Sequence, residues 1–203
     1  AGLVSSGFYK QDLSRIVHTG AITGFTVGGF ASYGLLDFLD ASAELLYLQQ
    51  GGSRMAMVNS LVDDSPITTT AYTRSHNLEL NGLARLGLPG FADPLKPYFI
   101  VGPGFGYNIT AVQQQDITYE YGDLSYTGSG SEQVRSDFQS MQYGLYLGLG
   151  SMLPAGSKMI LVDFRYRYGL NPINNGFDPF NRLGSVSDFS THSWMLTIGY
   201  QIN

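Results

Sequence analysis

Apolar and polar residues alternate with period two along most of the chain, in runs long enough to cross a bilayer, and the connections between runs are alternately short and long. Together these predict an all-β fold: an eight-stranded antiparallel transmembrane β-barrel of the outer-membrane type. The alternation is clearest at 159–170, where Ile160, Val162, Phe164, Tyr166 and Tyr168 interleave with Leu161, Asp163, Arg165 and Arg167. At 77–88, Leu78, Leu80, Gly82, Ala84, Leu86 and Leu88 interleave with Asn77, Glu79, Asn81, Leu83, Arg85 and Gly87. At 21–33, Phe25, Val27 and Tyr33 share the greasier face, opposite Gly24, Thr26, Gly28 and Ser32.

Segments of this kind place strands at roughly 1–9, 21–33, 38–50, 76–88, 98–112, 138–153, 159–170 and 191–203. Several exceed the common strand length and match the roughly 9–11 residues that a tilted strand needs to span hydrocarbon. Three connections are tight and rich in turn residues, at 34–37, 89–97 and 154–158. The other four, at 10–20, 51–75, 113–137 and 171–190, are long and polar, and they alternate strictly with the short ones. Short turns on the periplasmic side and four long extracellular loops follow. Residues 1–203 read as one domain, and the Ser/Gly-rich stretch 125–131 reads as the mobile tip of the third loop. The chain carries no signal peptide, so it is expected to begin within or after a mature N-terminus.

Composition narrows the function classes. Of 203 residues, 26 are Gly and none is Cys, while 14 Tyr, 12 Phe and 1 Trp make an unusually aromatic chain. Only 13% of residues are charged, and the net charge of −5 offers no footprint for a phosphate backbone, so nucleic acid is not an expected partner. A mean hydropathy of −0.02 and the absence of a long apolar run exclude a membrane helix. A soluble, lipocalin-like barrel is the competing architecture. Against it, Gly102, Gly104, Gly106, Gly144, Gly148 and Gly150 lie on the polar face, which suits a crowded lumen. Aromatics on the apolar face also cluster toward strand ends, as two girdles at the lipid interface: Tyr33, Phe99 and Tyr200 on one side, and Tyr47, Tyr107, Tyr143, Tyr168 and Trp194 on the other.

The polar face carries Glu44, Glu79, Arg85, Asp163, Arg165 and Arg167, three acids and three bases expected to point into the lumen. An eight-stranded barrel is only wide enough for its side chains to fill, so a structural, mutually paired ion network is expected. A charged constriction or proton relay is the functional alternative. The adjacent pairs Ser75-His76 and His192-Ser193 suggest a hydrolase, but each His shares the outward face, with Leu78 and Trp194 respectively. No group is in place to orient such a base, so no enzyme activity is expected. His18, His76 and His192 lack local metal-ligand spacing, and 102–106 (GPGFG) lacks the Gly-Lys-Ser/Thr ending of a phosphate loop, so neither metal nor cofactor is expected. The loops are the other place for function. Loop 113–137 combines Asp116, Glu120, Asp123, Glu132 and Asp137, against Arg135, with Tyr119, Tyr121 and Tyr126. Loop 171–190 combines Asn174, Asn175, Asp178, Asn181 and Asp188 with Phe177, Phe180 and Phe189.

Three blocks carry a family resemblance: 42–51 (SAELLYLQQG), 96–107 (KPYFIVGPGFGY) and 163–171 (DFRYRYGLN). In order and spacing they resemble the small outer-membrane β-barrels of Bacteroidota known as PorT-like. The resemblance covers essentially the whole chain and implies a barrel of about eight strands in the outer membrane. The family is broad and implies little about activity; its name-giving member is an accessory of a protein-secretion system, and a non-enzymatic structural or accessory role is expected for this chain. The partners implied are outer-membrane lipid or lipopolysaccharide and other outer-membrane or periplasmic proteins. The end of the chain departs from the usual pattern, because Tyr200 lies three residues before Asn203 where many such chains end on an aromatic. Transport of small or hydrophobic molecules, and surface binding or adhesion through the loops, are the alternative functions.

Overall fold

The structure, a computed structural model, describes residues 1–10, 17–60, 63–89, 96–121, 124–156, 158–174 and 189–201. The strands are β1 (Gly2–Lys10), β2 (Val17–Gly20), β3 (Ile22–Leu36), β4 (Leu39–Asn59), β5 (Pro66–Gly87), β6 (Lys96–Tyr121), β7 (Leu124–Gln133), β8 (Met141–Ala155), β9 (Lys158–Gly169) and β10 (Phe189–Gln201). Eight of them, all but β2 and β7, pair antiparallel with their neighbours into a ring that β1 and β10 close, from Gly2 opposite Thr197 to Lys10 opposite Phe189. Directly paired residues lead from Leu36 through Leu39, Leu86, Phe99, Leu149, Phe164, Leu196 and Leu3 to Phe25, eleven residues up β3 from the start. A stagger of that size means strongly tilted strands around a narrow lumen.

Along the ring the two faces separate cleanly. Leu80, Phe105, Leu147, Phe164 and Ile198 are exposed on the outside, while Glu79, Asn108, Tyr146, Arg167 and Ser193 are buried inside. The alternation is interrupted once in β6. His76 lies opposite Thr110 but Asn77 lies opposite Asn108, so Ile109 is an extra residue, and the inward face passes from Asn108 to Ala111. Such a bulge reverses which residues face the lumen above it. Lower in the same strand the β5–β6 pairing lapses between Asn81–Gly104 and Ala84–Val101, at Pro103, which has no N–H to give to a ladder.

Ala1 anchors the start of β1 by exchanging hydrogen bonds with Ile198: its ammonium donates to the Ile198 carbonyl (2.9 Å) and its carbonyl accepts from the Ile198 N–H (2.8 Å). Below that level β3 runs on to Leu36 and β10 to Gln201, with no strand between them among the described residues. A cavity of about 370 Å³ lies there, lined among others by Ala1, Phe30, Glu44, Arg85, Arg165 and Gly199.

Three long loops differ from expectation, the first because 17–20 form β2, which pairs with β4 from Val17 opposite Ala56 to Gly20 opposite Ser53. Residues 51–59 and 66–75 continue β4 and β5, and 113–121 and 124–133 form the hairpin of β6 and β7. Extracellular β-structure carries polar side chains on both faces, so it lacks the period-two apolar signal; β-branched Thr68, Thr69, Thr70, Thr118 and Thr127 are its local mark. The stretch 125–131 is accordingly ladder-paired β7 rather than a mobile tip. Residues 138–140 precede β8 instead of opening it, because a 3₁₀ turn at Arg135–Asp137 swings Phe138 into the barrel mouth. The side chains of His18 and Asp123 and the residues Asn175, Phe177, Asp178, Phe180, Asn181 and Asp188 lie outside the described set.

Lumen glycines make room for large inward side chains. A Cβ on Gly104 would stand 2.6 Å from both the Tyr146 ring and Asn81 Oδ1, whereas one on outward Gly82 meets nothing within 4 Å. Gly104→Ala is therefore expected to lower stability by about 1–3 kcal/mol through overpacking, and Gly82→Ala to leave it within about 0.5 kcal/mol. Urea unfolding in lipid vesicles, followed by the fluorescence of the one tryptophan, Trp194, measures both.

Candidate functional site

The lumen is organised as tiers, each assembled from strands distant in sequence. In the lower tier Glu44 on β4 accepts a forked pair from Arg165 on β9, Nη1 to Oε2 at 2.5 Å and Nη2 to Oε1 at 2.8 Å, and a third bond from Arg85 Nη2 at 3.2 Å. Asp163 accepts from Arg165 and from the Tyr98 hydroxyl. One tier up, Glu79 on β5 accepts from Arg167 Nε (2.8 Å) and from the Tyr146 hydroxyl (2.6 Å), while Arg167 also donates to Thr191 (3.3 Å). All six charged residues are at most 3% exposed. Three carboxylates face three guanidiniums, so the two tiers together are neutral, and charge-assisted, partly bidentate geometry offsets the desolvation that these six charges carry.

Tyr98 and Tyr146 are the members that charge patterning misses. Each fills space left by glycine, Tyr98 against Gly150 and Tyr146 against Gly104, and each delivers a hydroxyl to a carboxylate. Inward position on a strand, rather than charge, is the signal that marks them. Apolar side chains complete the same layer: Val4, Leu48, Leu83, Ile100 and Met195 pack with the two tyrosines. Arg85 Nε and Nη1 have no hydrogen-bond partner among the described residues, and its guanidinium lies near the rings of Phe30 (5.3 Å) and Tyr98 (5.8 Å).

Above the ion pairs, Gln50 Nε2 donates to Gln142 Oε1 (2.7 Å), and Ser193 Oγ donates to Gln50 Oε1 (3.4 Å). The extracellular mouth is then capped by Phe8, Ala111, Val134, Phe138, Ile173 and Phe189, with the Arg54 guanidinium 3.7 Å from the Phe189 ring centroid.

The lipid-interface aromatics expected from the sequence all point outward. Tyr33, Phe99, Tyr107, Tyr143, Tyr168, Trp194 and Tyr200 are exposed, and Tyr47 is half-buried against Phe25, 5.6 Å between centroids. Trp194 stacks on Phe164 at 5.2 Å, and Lys158 reaches over Tyr200 at 5.2 Å. The Ser-His pairs are split by the wall: Ser75 and Ser193 are buried in the lumen, whereas His76 on the outside meets the Tyr47 hydroxyl. No group of three or more His, Asp or Glu residues able to hold a metal occurs among the described residues.

Beyond the mouth stands a sheet of β4, β5, β6 and β7. Ile67, Tyr119 and Tyr126 are directly paired across it, as are Thr68, Thr118 and Thr127. Its hairpin turn is pinned where the Tyr119 hydroxyl donates to Asp63, and this bond, with help from Ser60, lowers the Asp63 carboxyl to a pKa of about 2.

A closed antiparallel ring with an apolar outside and a charged, side-chain-filled inside is the outer-membrane plan. The chain belongs to the outer membrane protein beta-barrel domain family, which matches residues 4–175. It is an integral outer-membrane barrel. The matched region ends before β10 (Phe189–Gln201), the strand that closes the ring on β1. No curated protein matches the chain. Two solved structures are similar over 98% of this chain and 93% of theirs, each at 14% identity and a TM-score of 0.34. One is Ail, the attachment invasion locus protein of Yersinia pestis, in complex with the heparin analogue sucrose octasulfate, and the other is the outer membrane protein OprG from Pseudomonas aeruginosa.

Two measurements check these contacts. Glu79→Leu alone leaves Arg167 buried without its carboxylate and is expected to cost about 3–5 kcal/mol, whereas Glu79→Leu with Arg167→Met restores most of that in the same urea titration. Tyr119→Phe is expected to return the Asp63 pKa toward the ordinary value of about 3.9, read by carboxyl-carbon NMR. Because the Asp63 pKa is lowered on folding, its contribution is present above the unfolded value of about 3.9 and is lost as pH falls toward the folded value of about 2.

Proposed function

We propose that the protein is a non-enzymatic, non-conducting accessory subunit of an outer-membrane assembly, and that it is one of the PorT-like barrels of Bacteroidota. The observation that carries this reading is the lumen: six charged side chains neutralise one another across a narrow barrel, beneath an aromatic cap. Such a core supports a scaffold better than a pore, since conducting barrels are generally wider and water-filled. A periplasm-facing cavity of about 440 Å³, lined by Phe38, Leu88, Met152, Tyr98 and Arg85 among others, is the feature a transport reading would use; it abuts Arg85, which is held by Glu44. The three blocks at 42–51, 96–107 and 163–171 support the PorT-like assignment and, through it, a role beside a protein-export machine.

Catalysis is disfavoured because Ser75 and His76, and Ser193 and His192, face opposite sides of the wall. Surface binding is the second reading, favoured by the rigid extracellular sheet of β4 to β7. Lipid and lipopolysaccharide would meet the outward aromatics, and protein partners the sheet or the outer wall. In planar bilayers no stable openings are expected from the wild-type protein. Openings that Arg165→Ala enlarges would overturn the plugged-scaffold reading. Gentle extraction from native membrane is expected to recover the protein with other outer-membrane or periplasmic proteins, and recovery always as a lone chain would remove the accessory role.

A further inference from the structure

We infer that the free edge of β7 is a docking site for an extended, basic polypeptide segment, which joins the extracellular sheet as its next strand. The inference deepens the surface-binding reading and rests on it.

β7 pairs with β6 over all ten residues in unbroken register, from Val112 opposite Gln133 to Tyr121 opposite Leu124. Among the described residues its other edge meets no strand, and every β7 residue is exposed. Exposed edges are ordinarily protected by proline, lysine, a bulge or a covering segment. β7 (LSYTGSGSEQ) has no Pro, Lys or Arg, no register shift, and Glu132 as its one charge. It is also held in place rather than left to fray. At its base Arg135 donates to the Asn108 carbonyl (2.9 Å) and to Ser140 Oγ (3.1 Å), and Val134 N–H donates to the Ala111 carbonyl (3.0 Å). A pre-ordered edge lowers the entropic cost of adding a strand.

Charge selects the partner. The two hairpins, 55–73 and 111–134, carry six acids and no Lys or Arg. Asp116 lies opposite Ser129 and Glu120 opposite Ser125, which puts carboxylates on one face of the sheet beside β7. On the other face Tyr126 lies opposite Tyr119, and Leu124 opposite Tyr121. An added strand with Lys or Arg side chains would meet carboxylates on one face and tyrosine rings on the other, both favourable to cations. An acidic strand would meet repulsion on the first face and nothing favourable on the second.

The test uses the full barrel in lipid nanodiscs and two short synthetic peptides, one alternating Lys with Val and one alternating Glu with Val. The Lys peptide is expected to slow hydrogen exchange about tenfold or more at every second β7 amide, since alternate residues of an edge strand point their N–H outward. Its affinity should fall as salt rises from about 50 to about 500 mM, and fall severalfold in Asp116→Asn/Glu120→Gln. Unchanged β7 exchange would overturn the inference, as would equal binding of the Glu peptide. Concentration-dependent protection of β7 without peptide would overturn it in favour of self-pairing. Binding of the Lys peptide with unchanged β7 exchange would overturn the edge-docking inference while leaving the surface-binding reading in place, so the two failures are distinguishable.

Discussion

The pairing of Glu79 with Arg167, and of Glu44 with Arg165 and Arg85, is the interaction on which the barrel depends. A narrow ring of eight strands must place half its side chains in its lumen, and that lumen here holds six ionised groups that are almost wholly buried. Any one of them unpaired would carry a desolvation cost of several kcal/mol, comparable to the net stability of a whole domain. Neutrality within the lumen is thus a condition for the fold, and each partner comes from a different part of the ring: β4 with β9, and β5 with both β4 and β9. Closure of the barrel and pairing across it are linked, since Glu44–Arg165 and Glu79–Arg167 form only when β9 stands across the lumen from β4 and β5.

The other features follow from filling that lumen. Gly104, Gly144 and Gly150 stand where Tyr146, Arg167 and Tyr98 lie across the wall, so large and absent side chains alternate around the ring. The tyrosines add hydrogen bonds to carboxylates that arginines alone would leave partly satisfied. The mouth is closed by an apolar cluster in which the Arg54 guanidinium lies on the Phe189 ring. With its interior occupied, the barrel presents chemistry to its surroundings through the outer wall and the extracellular sheet.

Much of the lumen was legible in the alternation at 77–88 and 159–170, because adjacent residues of a strand face opposite sides. That rule puts Glu79, Arg85, Asp163, Arg165 and Arg167 on one face without any knowledge of the third dimension. It fails above Asn108, where the bulge at Ile109 reverses the faces, and no residue-type signal marks the bulge. It is silent about 66–70, 114–121 and 124–133, where neither face is buried and strands of Thr, Ser and Tyr read as loop. Tyr98 was hidden for a related reason: an aromatic on a barrel strand reads as lipid-facing unless its parity is followed.

The sequence by itself determined the eight strands of the ring, the lipid-facing surface and the charge inventory of the lumen, because these depend on local period and on turn chemistry. Which acid meets which base, where the wall bulges, and how far the hairpins rise above the membrane were decided only by the tertiary structure. Those outcomes depend on the stagger with which the ring closes, and the stagger belongs to all eight strands at once. A residue's side of the wall is written in its neighbours, and its partner across the lumen is written in the closure.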